Sequence, residues 1–150
     1  MSEHAEARRR RAVALRVATL AAVVREGAWR SAESTRRQSQ QEVESSEQVL
    51  GQLVSSRAAT AASGKAVDLD RWAWSLVAED AVAATLAEQT DALRAAESTA
   101  DLARSAWVLA HRRVEHAQVR HGEATRSESY HLELLRLDAT LDVLAARALP

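Results

Sequence analysis

The run Ser63-Gly64-Lys65-Ala66-Val67-Asp68-Leu69-Asp70-Arg71-Trp72-Ala73-Trp74 (SGKAVDLDRWAW) decides the fold, because an otherwise helical text stops and restarts there. Gly64 suits the left-handed position that ends a helix, since it has no Cβ to clash. Asp68 reads as the N-cap of a second helix, and Asp70 sits in the first turn, where a carboxylate favours the helix dipole. Val67, just outside the cap, is placed to pack on Trp72 as a hydrophobic staple. Stop and start signals therefore follow one another in the order that a tight helix–loop–helix turn requires. Ser63-Gly64-Lys65 has neither the preceding strand nor the upstream glycine of a phosphate-binding loop.

Working outward, the first helix is expected over about 3–62, the tip over 63–68 and the second helix over 69–148. The fold class is all-α, two long helices in an antiparallel coiled-coil hairpin. Composition agrees. The chain of 150 residues has 1 Pro (Pro150), 4 Trp, 1 Tyr and no Phe. Its apolar share is chiefly Ala, Leu and Val, and a Pro-free text rich in Ala, Glu, Arg and Leu reads as long helix. No stretch alternates apolar and polar residues with β-branched enrichment, so no strand is assigned.

In helix 1, Val13, Val17, Leu20 and Val24 stand four, three and four apart, the spacing of a coiled-coil seam. The middle, Arg25 to Gln48, is mostly polar, and apolar spacing resumes at Val43, Leu50, Leu53 and Val54. A lone helix with such a centre is marginal, so a covering partner helix is expected. Helix 2 has the cleanest periodicity: Leu93, Ala96, Ala100, Ala103, Trp107, Ala110, Val114, Ala117, His121 and Ala124. Past Ala124 the phase reads as slipping to Leu134, Leu137, Leu141 and Leu144, in the manner of a stammer. Folding the chain at Lys65 with equal rise per residue sets Leu20 near Ala110 and Val13 near Ala117. It leaves the leucine seam with nothing opposite, and so marks it for a partner or for self-association.

Other chemistry finds little footing. His111, His116 and His121 recur every five residues, about 140° apart on a helix, whereas ligands on one helix face need spacings of three or four. No metal and no cofactor is expected, no nucleophile elbow occurs, and an extended coiled coil offers no concave pocket in which to shift a pKa. The formal net charge of −1 removes the main electrostatic argument for nucleic acid. The run Arg8–Arg11 reads as solvated first turns. Although Arg8–Arg11 and the apolar run to Val24 suggest a secretory leader, Arg16 interrupts the run and Arg25 to Trp29 offers no cleavage site. The run is also too short to span a bilayer, so a cytoplasmic protein is expected. Trp74 lies about 200° around the helix from Trp72, which makes it, with Arg71, a candidate contact at the tip.

The arrangement resembles the FliJ/YscO/HrpO family, the central stalk of type III secretion ATPases. The resemblance rests on a long first helix, a short loop leaving through Arg71-Trp72, a further tryptophan in Ser105-Ala106-Trp107, Arg112-Arg113, and a Leu-rich segment from Tyr130. It implies a non-catalytic coiled coil whose Val13–Val24 and Leu134–Leu144 end engages a hexameric secretion ATPase. The middle or tip would reach an export-gate membrane protein, and secretion chaperones are further partners in the family. The implied place is the cytoplasm, at the inner face of the membrane through the secretion apparatus. Flagellar members tend to be more basic, so the balanced charge here leaves flagellar versus injectisome open and leans to an injectisome, although Arg71-Trp72 and Trp107 are closest to the flagellar pattern. The alternative reading of the same seams is a self-assembling structural or scaffold coiled coil.

Overall fold

A computed structural model describes residues 3–64 and 68–148, with side-chain surroundings described as far as Asp142. The chain is a hairpin of two helices packed against each other, α1 (Glu3–Ala62) and α2 (Leu69–Ala148). No strand occurs among the described residues.

The turn is built by local hydrogen bonding. At the end of α1 the Ser63 N–H and hydroxyl both donate to the Thr60 carbonyl, at 3.3 and 2.8 Å. Gly64 follows with φ 65°, the left-handed conformation expected of it. The Asp68 Oδ1 accepts from the N–H groups of Asp70 and Arg71 at 3.1 and 3.4 Å, and the Trp72 N–H donates to the Asp68 carbonyl at 3.0 Å. These bonds satisfy donors that a helix start leaves without internal partners. The Val67–Trp72 staple lies outside the described residues. A different neighbour is seen for Trp72: the Arg57 guanidinium stands 5.7 Å from its ring centroid, a cation–π contact from α1.

The chain divides into two compact units, one of Met1–Glu26 with Ser105–Pro150, the other of Gly27–Arg104. In the first, Ala22, Ala110 and Val114 form the buried cluster, with Leu15 and Ala18 packed against it. The α2 face follows the expected spacing, with Ala110, Val114 and Ala124 buried and Ala117 and His121 half-buried. The α1 face does not. Val13, Val17, Leu20 and Val24 are all exposed, and Ala22 occupies the place beside Ala110 that equal-rise folding gave to Leu20. The phase that half-buries Trp29, Leu50 and Leu53 and buries Val43 further along α1 runs back to Ala22, Ala18 and Leu15.

The stammer is likewise corrected. Beyond Ala124 the packed face of α2 continues in phase through half-buried Glu128 and His131. Arg8 Nε lies 2.9 Å from Glu128 Oε2 as an ion pair without hydrogen-bond alignment. The His4 and His131 rings stand 4.6 Å apart. Arg11 donates to the Arg120 carbonyl at 3.1 Å. Two of the arginines read as solvated thus reach across to α2.

In the second unit Val43 and Ala100 are buried, and so is the carboxylate-bearing Glu79, at 8% exposure. Arg57 Nη2 meets Glu79 Oε2 at 3.1 Å. Val54, expected in the seam, is exposed.

Removing the cap in Asp68→Ala is expected to lower stability by about 1 kcal/mol. Gly64→Ala, which forces a Cβ into the left-handed region, should cost about 1–2 kcal/mol. Urea unfolding followed by circular dichroism measures both.

Candidate interaction surfaces

The first surface is the outer side of α1 in the first unit. Val13, Val17, Leu20 and Val24 are between 59% and 70% exposed. At about 100° per residue, their mean direction lies roughly 200° from that of Leu15, Ala18 and Ala22. α1 is therefore apolar on two opposite faces, one closed by α2 and one open.

The second surface lies on α2 in the same unit. Leu134, Leu137 and Leu141 are exposed, and so is Tyr130, four residues before Leu134. Tyr130 extends the stripe to the same four-three-four spacing as Val13, Val17, Leu20 and Val24. Sequence reasoning had placed Tyr130 only as the start of a Leu-rich segment; its spacing to Leu134 was the available signal. The side chain of Leu144 lies outside the described residues. From Leu132 to Asp142 every described residue is exposed.

The third surface is near the turn, in the second unit. Arg71 is exposed, and Trp74 is 73% exposed while Trp72 is half-buried under Arg57. Val77, one helical turn on from Trp74, is exposed beside it. Trp74→Ala removes no buried packing, so the unfolding free energy from urea titration should stay within about 0.5 kcal/mol of the parent. A binding defect in that variant then reports a lost contact and not a lost fold.

The second unit also has an open groove of about 990 Å³ lined by Trp29, Glu33, Arg36, Asp101 and Arg104, among others. Its chemistry is that of an ion-pair cluster. The Glu33 carboxylate accepts from Arg36 Nε at 3.0 Å and Nη2 at 2.7 Å, and from Arg37 Nε at 3.2 Å. The Arg36 hydrogen bonds, with lesser help from Arg37, hold the carboxyl down to about 2. The Arg36 guanidinium is raised in turn, first by Glu33. A carboxylate so committed is a poor proton acceptor near neutral pH. No group of three or more His, Asp or Glu among the described residues is placed to hold a metal, and no helix among them is long and apolar enough to cross a membrane.

No family model, curated protein or solved structure matches the chain.

Because the Glu33 carboxyl is lowered from 4.5 to about 2, its stabilisation is present above 4.5 and is lost as pH falls towards 2. Glu33→Gln lacks that contribution at every pH. Between pH 5 and 2.5 its thermal midpoint, read by circular dichroism, should fall less than that of the parent.

Proposed function

We propose that the chain is a non-catalytic docking hairpin, the central-stalk coiled coil of a type III secretion system. In this reading it binds the hexameric secretion ATPase and links it to an export-gate membrane protein, as the resemblance to the FliJ/YscO/HrpO family implies. One observation supports the docking part most strongly. Two apolar stripes of coiled-coil spacing, Val13–Val24 and Tyr130–Leu141, are left exposed within one compact unit. A helix already closed on its inner face gains nothing within the hairpin from a second apolar face, so that face suits a partner helix or a ring lining. The assignment of the ATPase as that partner, an injectisome setting and a cytoplasmic place at the inner membrane face rest on the resemblance. Arg71 and Trp74, in the other unit, are then the natural contacts for the gate or a chaperone.

The test is retention of a purified type III secretion ATPase by the full-length protein on an affinity column. The parent should retain it, and Val17→Glu with Leu20→Glu should reduce retention at least tenfold. Two lost Val/Leu burials are worth about 1.5–3 kcal/mol each, and 1.4 kcal/mol is a factor of ten. Both positions are exposed, so the variant keeps its helicity. Equal retention by parent and variant, or none by the parent, overturns the reading.

A further inference from the structure

We propose that the two exposed stripes recognise each other between copies: Val13, Val17, Leu20 and Val24 of one chain pair with Tyr130, Leu134, Leu137 and Leu141 of a second copy as a parallel coiled coil. The stripes share one spacing, four-three-four, and every one of the eight side chains is exposed. Aligning them in order sets Val13 on Tyr130, Val17 on Leu134, Leu20 on Leu137 and Val24 on Leu141, so that core positions of like type face each other. The flanking charges then select the orientation. In a parallel pair the residue before one core position faces the residue five places later on the partner helix. That rule brings Arg16 opposite Asp138, cation to carboxylate, while Glu133 and Arg126 face Ala21 and Ala14 without conflict. The antiparallel alignment sets Arg16 opposite Thr140 and forfeits the ion pair.

Each copy carries both stripes within its first unit, so a second copy seated on one stripe brings the counterpart of the other with it. The stripes are also those assigned above to ATPase docking. Self-pairing and docking are then mutually exclusive, and the dimer is the form of the chain away from its partner. The pairing itself does not depend on that reading, since it rests on spacing, exposure and charge.

The chain has no cysteine, which makes disulfide trapping between single-cysteine variants unambiguous. Full-length Leu20→Cys mixed with full-length Leu137→Cys under mild oxidation should give a cross-linked dimer. Leu20→Cys mixed with Leu134→Cys, the antiparallel pairing, should give about fivefold less. Light scattering on the cysteine-free parent should show mass rising from monomer towards dimer with concentration. Arg16→Asp should shift that rise to at least fivefold higher concentration, and Arg16→Asp with Asp138→Arg should restore it. A parent that stays monomeric throughout, cross-linking that favours position 134, or a charge swap without rescue each overturns the pairing. None of these readouts involves the ATPase, so this proposal and the docking proposal fail separately.

Discussion

The close approach of two helices over small side chains is the constraint on which the rest of this structure depends. Ala22 packs with Ala110 and Val114, and Ala100 and Ala124 are the other buried apolar positions among the described residues of α2. Among the described residues no large side chain is fully buried. At about 0.8 kcal/mol per buried CH₂, an alanine position contributes little by itself, so stability has to accumulate along the length of the helices. Valine is accommodated there too, at Val43 and Val114, and Leu15 packs against the cluster. Val17, Leu20 and Val24 stand outside because they lie on the side of α1 opposite Leu15, Ala18 and Ala22.

Charge completes what alanine leaves weak. The polar middle of α1 carries its own support at helical spacing: Glu33 with Arg36 and Arg37, Gln38 with Glu42, Gln40 with Glu44. Such pairs are worth about 0.2–0.5 kcal/mol each, enough in series to keep a helix from fraying where few apolar groups are covered. The Arg57–Glu79 pair is different in kind, because Glu79 is buried. Desolvation offsets much of the attraction in such a pair, so its value is better sought in alignment than in net stability. It joins one Arg57 position on α1 to both Glu79 and Trp72 on α2, and a slip by one turn would strand a buried carboxylate.

What could be read from the sequence follows from these proportions. The turn was legible because its signals are local: Gly64 needs its left-handed φ and Asp68 needs only the next three residues to cap. The packed face of α2 was legible because alanines at strict spacing have no competing pattern. The packed face of α1 was not. It passes through Glu26, Trp29, Ala32, Arg36, Ser39, Val43, Ser46, Leu50, Leu53 and Arg57, half-buried or buried in turn, and half of those residues are polar. Val13, Val17, Leu20 and Val24 form the more apolar stripe, so a reading weighted by hydrophobicity chooses the outer face. The continuation of the α2 face through Glu128 and His131 was hidden for the same reason, with leucines close by to draw the eye.

That inversion bears on recognition. A stripe selected by packing inside a hairpin is specified by its neighbours, whereas an outer stripe of Val and Leu at heptad spacing fits almost any helix of like spacing. Apolar contact alone therefore cannot choose a partner here, and discrimination falls to the polar residues that border the stripes. On α1 that border holds Arg16 among alanines, and on α2 it holds Glu133 and Asp138. A single cation facing a single carboxylate at an exposed edge is worth at most about 1 kcal/mol. Such an edge sets register and orientation while leaving affinity to the leucines and valines. Surfaces of this composition are suited to contacts that form, exchange and re-form, which is what a helix with one face closed and the opposite face open can offer.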